Sequence, residues 1–420
     1  MEARTQSKEE ILEELRMLIK QLYSLEKKDF VPGETKIGYS SANVDEREAI
    51  AVMESYLRSY GRWLAEGSDT DEFEQGFAKF IGVKDAVVVN SGSSALYLAF
   101  KTLMNEQVEN HLNEGDEVIT PALTFPTSLN SIILNNLKPV LIDVDKRTSC
   151  LDPEKIEELI TPKTRAILVL HHLGAVPNMD RIMEIAEKHN LFVVEDSCDG
   201  HGSMYKEKKT GSIGHMGCFS FYSAHQMTLG EGGAITTDNP RFAFILRSLK
   251  ACGKGCYCKW NEARPDLGAC RNRFNTKIGD DYVDHRFVTT NIGVKMKIID
   301  MQAAIGKEQL KKLPGFVEKR KEHYTIIAAK LKEYDKYLHV IEAEEGADPC
   351  WFAIPLAVRE DAPFDRREFA SFLEGRKIET RPMLGGNMEL QPAYRNMEFR
   401  KKSLEVTNYF HTHGLFIGCN

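Results

Sequence analysis

The chain has 420 residues, with 55 lysines and arginines against 62 aspartates and glutamates and a formal charge of −7 at neutral pH. That balance supplies no basic field for nucleic acid or an anionic membrane surface, and the length suits two packed units or one large unit with a small one. The apolar runs, such as Ala166 to Leu170, are strand-sized, and the N-terminus is charged from Glu2 onward rather than apolar like a signal peptide. A cytoplasmic enzyme acting on small molecules is therefore expected, with neither nucleic acid nor membrane as a partner.

In chain order, Lys8 to Lys28 places Ile11, Leu12, Leu15, Leu18, Ile19, Leu22 and Leu25 at three- and four-residue intervals, which predicts an amphipathic helix that packs on the body or on a partner subunit. After Pro32-Gly33, Asp45 opens a second helical pattern running to about Glu66, so residues 1–66 read as an N-terminal arm. From Val83 short β-branched runs alternate with helical stretches: Ala86–Val89, Glu117–Thr120, Pro139–Asp143, Ala166–Leu170 and Phe192–Glu195. Such alternation predicts an α/β domain with a doubly wound parallel or mixed sheet, here 67–305. Ligands of such sheets sit at the carboxyl ends of the strands, where Ser91-Gly92-Ser93-Ser94, Thr124-Phe125-Pro126 and Asp196 fall. A helix after about Met301 leads through a charged stretch into strand-like runs at Leu338–Ile341 and Trp351–Leu356, a small α+β domain over 306–420.

The chemistry gathers at the predicted strand ends. Gly92, Ser93 and Ser94 open a helix after a strand, where free backbone amides and small hydroxyls can cradle a phosphate; ordinary helix capping is the other reading. Asp196 ends a hydrophobic strand, a place from which a carboxylate can keep a pyridine nitrogen protonated or simply cap a helix. Phe125 can stack on a ring or belong to the core. Nine cysteines without a secretion signal are not a disulfide framework. Cys150, Cys218, Cys350 and Cys419 read as buried small hydrophobes, whereas Cys252, Cys256, Cys258 and Cys270 cluster.

The run Phe219-Ser220-Phe221-Tyr222-Ser223-Ala224-His225, continuing into Gly230-Glu231-Gly232-Gly233, resembles the sugar aminotransferase and dehydratase family of fold-type I pyridoxal-phosphate enzymes, from Asp45 to the end of the chain. The resemblance implies that Ser220 binds the cofactor phosphate and Asp196 the pyridine nitrogen. It also implies that His225 stands where most members carry lysine. An imidazole has no primary amine and cannot hold the aldehyde as an imine, so the cofactor would be bound non-covalently as pyridoxamine phosphate. A histidine can then remove the C4′ proton, and loss of the neighbouring C3 hydroxyl becomes the natural outcome.

Cys198, Cys256, Cys258 and Cys270 give C-x57-C-x-C-x11-C, a thiolate set that suits an iron–sulfur cluster or zinc. The pattern resembles the CDP-4-dehydro-6-deoxyglucose 3-dehydratases, which use pyridoxamine phosphate and a [2Fe-2S] cluster, although the last gap is longer here, so that Cys252 stands as a spare for Cys270. That resemblance implies a nucleotide-sugar substrate, a partner NAD(P)H-dependent iron–sulfur flavin reductase and a homodimer. Asp199 and Tyr222 would orient the cofactor and His225, while Arg381 and Asn387 would face the substrate or else sit in an ordinary surface loop. Lys295 departs from the asparagine usual in the family. It can neutralise cofactor phosphate across the dimer, serve as an unorthodox imine lysine, or be a solvated surface residue. The competing functions are a nucleotide-sugar aminotransferase and a non-catalytic relative with a structural zinc.

Overall fold

The computed structural model describes residues 7–26, 29–59, 64–256 and 274–419. The predicted first helix is present as α1 (Lys8–Glu26), tied to α2 (Glu46–Arg58) by an Arg16–Glu54 ion pair of 2.6 Å. Its apolar stripe is seated only in part: Leu12, Leu15 and Ile19 are half-buried, whereas Leu18, Leu22 and Leu25 stay exposed. Asp45 starts α2 through a capping box with Glu48. The next helix, α3 (Ser68–Ile81), stops at Gly82, whose positive φ of 94° closes the last turn.

The predicted alternation follows: β1 (Asp85–Val89), α4 (Gly92–Leu103), β2 (Glu117–Pro121), α5 (Pro126–Ile133), β3 (Lys138–Ile142), β4 (Thr164–Leu170), α6 (Met179–His189) and β5 (Phe192–Asp196). A short ribbon, β6 (Met204–Tyr205) and β7 (Lys208–Lys209), precedes β8 (Met216–Ser220) and β9 (Gly233–Thr237). The last two strands are not among the runs expected from sequence, and they change the sheet. Its order is β1-β9-β8-β5-β4-β2-β3-β16, the last being Arg400–Lys401, parallel from β8 onward, with β9 antiparallel to both β1 and β8. The sheet is thus mixed, the mixed form of the doubly wound sheet expected, because the chain returns beside β8 through residues 221–232 instead of crossing over a helix.

Both faces of this sheet are covered, as its fully buried strands β2, β8 and β9 require. Val118, Leu168 and Val194 pack with α4 and α7 (Pro240–Leu249) on one face. Ile119, Val169 and Val193 pack with α6 on the other. Beyond α7 come a hairpin, β10 (Thr276–Ile278) and β11 (Asp281–Val283), and the long α8 (Asp300–Leu331). The helix α8 runs unbroken through residue 306, and its first residue, Asp300, accepts hydrogen bonds from the backbone N–H groups of Gly67 and Thr70 at the start of α3.

The C-terminal region contributes β12 (Leu338–Val340), β13 (Ala347–Asp348), β14 (Ala353–Val358), α9 (Arg366–Glu374), β15 (Thr380–Pro382), β16 (Arg400–Lys401), α10 (Glu405–His413) and β17 (Gly414–Gly418). Four of these form an antiparallel sheet ordered β12-β14-β17-β15. Two others reach back: β13 pairs with β6, and β16 adds a parallel edge strand beside β3. Among the described residues no helix is long and apolar enough to cross a membrane.

Candidate active site

A cavity of about 450 Å³ opens at the carboxyl ends of the large sheet's strands, where a doubly wound sheet places its ligands. Of the site residues expected from sequence, it gathers Gly92, Ser93, Phe125, Asp196, Cys198, Asp199, Ser220, Tyr222, His225 and Arg381 on its wall. These come from five separate stretches of chain; the order of the large sheet brings four of them together, and Arg381 comes from β15 of the small sheet.

Strand periodicity decides which acid faces the cavity. Successive side chains of β5 point to opposite faces, so Asp196 and Glu195 part company. Glu195 is fully buried on the other side, accepting hydrogen bonds from the backbone N–H groups of Gly211, Ile213 and Gly214 and lying 2.8 Å from His171 Nε2. Asp196 faces the cavity, where Ser128 Oγ donates to its Oδ2 at 2.7 Å and the Cys198 N–H to its Oδ1 at 3.2 Å. Burial pushes the Asp196 carboxyl above its usual value despite these donors. A cation brought beside it, such as a protonated ring nitrogen, would relieve that burden.

The loop from β1 to α4 combines both readings of its sequence. Ser91 caps α4, its Oγ accepting from the Ser94 N–H at 3.1 Å, so Ser94 serves the helix and is not on the cavity wall. Gly92 and Ser93 precede the first intrahelical hydrogen bonds and carry amides suited to an anion. Gly92 must lack a side chain: a Cβ there would lie 2.6 Å from Ser220 Cβ and 3.0 Å from Cys198 Sγ. Phe125, at the start of α5, is half exposed at the cavity and so is not a core residue. A phosphate at Gly92, Ser93 and Ser220, a ring against Phe125 and a ring nitrogen at Asp196 fit the residues present.

His225 lies on the return between β8 and β9. Its Nδ1 is 3.4 Å from Asp199 Oδ1, within ion-pair reach when the ring is protonated but outside hydrogen-bond geometry. Its ring packs 5.6 Å from Phe352 and 6.4 Å from the half-exposed Tyr222. At the mouth, the Arg381 guanidinium sits 4.3 Å over the Tyr39 ring and pairs with Glu379 at 2.6 Å. Sequence reading missed Tyr39, Glu231 and Phe352 on this wall and Ser128 beneath it. Ser128 carried a usable signal, since it lies one helical turn beyond Phe125; Tyr39 carried none, because only the pairing of Ile37 with Ile378 brings it beside β15.

Other expected residues are placed elsewhere. The side chain of Asn387 is committed to its own turn, accepting from the Glu389 N–H and donating to Asn408, and it is absent from the cavity wall. Lys295 is exposed, its backbone bridged to Ala251, and does not reach the cavity of its own chain. Of the proposed cysteine ligands, Cys258 and Cys270 lie outside the described residues; Cys198 is on the cavity wall, and Cys252 and Cys256 follow α7. Among the described residues no group of three or more His, Cys, Asp or Glu side chains is placed to hold a metal ion. Burial, together with Asp196 and Asp199, pushes the Cys198 thiol far above its usual value, a preference that a coordinated cation would reverse.

The family model for the DegT/DnrJ/EryC1/StrS aminotransferases matches residues 43–420. The lipopolysaccharide biosynthesis protein RfbH of Salmonella typhimurium is 37% identical over 388 residues, covering 92% of this chain and 87% of its own length. The dTDP-4-dehydro-2,6-dideoxy-D-glucose 3-dehydratase of Saccharopolyspora spinosa is 38% identical over 375 residues, covering 88% and 79%. Among solved structures, the E. coli GDP-4-keto-6-deoxy-D-mannose-3-dehydratase with bound hydrated PLP superimposes with a TM-score of 0.79 at 29% identity, covering 91% of this chain and 94% of that one.

Proposed function

The chain belongs to the DegT/DnrJ/EryC1/StrS aminotransferase family, and from that premise we propose that it is a pyridoxamine-phosphate-dependent 3-dehydratase of a nucleotide-linked 4-keto-6-deoxyhexose. One observation carries the reading: His225 stands on the cavity wall, and no lysine is among the described residues lining it. An imidazole cannot tether an aldehyde, so the cofactor is held by noncovalent contacts alone. When bound, pyridoxamine phosphate would supply an amine for the sugar ketone and an electron sink that lets the C3 hydroxyl leave.

The chain's own residues have distinct tasks in this proposal. Asp196, itself held by Ser128 and the Cys198 N–H, keeps the ring nitrogen protonated. Ser93, Ser220 and the amide of Gly92 hold the phosphate, and Phe125 covers a ring face. His225 takes the proton from the C4′ carbon, while Asp199, 3.4 Å from its Nδ1, helps to orient the imidazole. Arg381, stacked on Tyr39, offers a cation to the substrate diphosphate. Two 3-dehydratase relatives, each acting on a nucleotide-linked deoxyhexose by its name, support the substrate class.

The cysteines extend the same reading. Cys198, Cys256, Cys258 and Cys270, with Cys252 in reserve, would hold a [2Fe-2S] cluster that delivers electrons singly from an NAD(P)H-dependent iron–sulfur flavin reductase. Their spacing and the place of Cys198 on the cavity wall support this. The exposed apolar residues of α1 and of 274–294 support a homodimer.

The test is His225→Asn. Exchange of the C4′ proton in deuterated water should fall by about 10²- to 10⁴-fold while pyridoxamine phosphate stays bound; unchanged exchange would remove His225 from the chemistry. Anaerobic purification should yield iron with acid-labile sulfide, and zinc alone would overturn the redox part. An imine fixed by borohydride to Lys295 would instead make the protein an aminotransferase.

A further inference from the structure

Gln226, the neighbour of His225, is buried in the layer beneath the cavity. It follows a turn in which the His225 N–H donates to the Tyr222 carbonyl at 3.0 Å. Its amide nitrogen donates to the backbone carbonyl of Asp199 and, at 3.2 Å, to that of Cys350. Its amide oxygen lies 3.2 Å from His201 Nδ1. The two carbonyls accept and cannot donate, so the amide has one consistent orientation and His201 carries its proton on Nδ1. All of the side chain's principal hydrogen-bonding groups are thereby engaged.

The placement matters because of what the amide joins. His225 is carried by the return from β8 to β9, and Asp199 by the turn after β5; the two segments are not strand-paired at these positions. Gln226 clamps one segment to the backbone of the other at the two residues whose side chains face each other across 3.4 Å. The bond to Cys350 adds the segment leading into β14. His201, packed between Phe219, Phe221 and the His225 ring, holds the clamp in its orientation.

We propose that Gln226 is a positioning residue that sets the separation of His225 and Asp199, acting through the backbone of Asp199 rather than by touching cofactor or substrate. The proposal rests on the reading of His225 as the base. Gln226→Leu keeps nearly the same volume and removes the clamp, and a displacement of about 1 Å at a reacting group costs on the order of 100-fold in rate.

The experiment compares Gln226→Leu with Ser203→Ala, which removes a buried hydroxyl bonded to Gly174 and to the Cys350 N–H, not to either member of the pair. In a crystal structure of cofactor-free Gln226→Leu, the His225–Asp199 separation should exceed 4 Å. Its kcat should fall by about 10- to 100-fold, with KM and pyridoxamine-phosphate affinity within about threefold of the parent. Ser203→Ala should lose stability and keep both separation and kcat. In an Asp199→Ala background, Gln226→Leu should cost little more, because both changes break one coupling. An unchanged separation, or full additivity with Asp199→Ala, overturns the proposal. Unchanged exchange in His225→Asn would instead overturn the functional reading, so the two failures are distinguishable.

Discussion

The return that carries His225 and the stretch from Phe274 to Val294 are built on opposite principles. Residues 221–232 are braced throughout: the Phe221 N–H bonds to Gly232, Leu229 N–H and Thr228 Oγ1 both donate to the Phe221 carbonyl, and Phe219 and Phe221 are fully buried. The stretch from Phe274 to Val294 turns its apolar side chains outward, with Phe287 77% and Ile292 92% exposed. It is anchored near its end, where Gly253 has a φ of 76° and a Cβ would lie 1.7 Å from the Asn291 carbonyl oxygen. In the first region, position follows from the chain's own packing. In the second, large apolar side chains face outward, where a further surface can cover them.

The largest effect is expected on the face of β5 turned away from the cavity. Glu195→Ala strips His171 and three backbone amides of their buried partner and should destabilise the fold by about 3–5 kcal/mol, measured by urea unfolding. A loss under about 1 kcal/mol would show that the bracing is weaker than its geometry. Acid should act next. Burial pushes His172 down to about 4 and His201 down to about 3, so the unfolded chain binds more protons than the native one below its ordinary histidine value of about 6.5. Stability present at pH 7 is therefore lost as pH falls from about 6.5 toward 4, by roughly 3 kcal/mol for His172 alone. His172→Asn should flatten that part of the slope, and an unaltered slope would exclude His172 as its source.

Gly92→Ala should cost about 1–3 kcal/mol, since its Cβ meets Ser220 and Cys198. It should also weaken inorganic phosphate and pyridoxamine-phosphate binding together; unaffected phosphate affinity would place the anion elsewhere. The smallest change is expected in the outward-facing stretch. Phe287→Ser with Ile292→Ser should alter the stability of the isolated chain by less than about 0.5 kcal/mol each and, in a homodimer formed through this surface, lower the sedimentation coefficient. An unchanged sedimentation coefficient would assign these side chains to no self-association.

The difference between the two regions is also why they were unequally legible. The five predicted strands and the cavity at their ends follow from β-branched runs and a period of two, which are local, and that period separates Asp196 from Glu195. The strands β8 and β9 escaped notice because Met216–Ser220 and Gly233–Thr237 are rich in glycine, serine and threonine, and their burial comes from neighbours. The pairing of Tyr39 with Arg381 and the clamp of Gln226 on Asp199 are products of tertiary packing. Asn387 looked like a ligand-facing residue but turns inward to organise its own loop, and the exposed Lys295 does not reach its own chain's cavity.

The edge strand β16 sets a constraint of another kind. The large sheet takes its outermost strand from Arg400–Lys401, locked to Glu117 by Arg400 at 2.6 Å, long after every other strand of that sheet has appeared in the sequence. During synthesis, β3 leaves the ribosome with an unpaired flank that stays open until residue 400 has been made. The sheet is therefore finished by closure over a long loop rather than by simple growth from the N-terminus, and a nascent chain stalled before residue 400 would present β3 as an open edge to its neighbours.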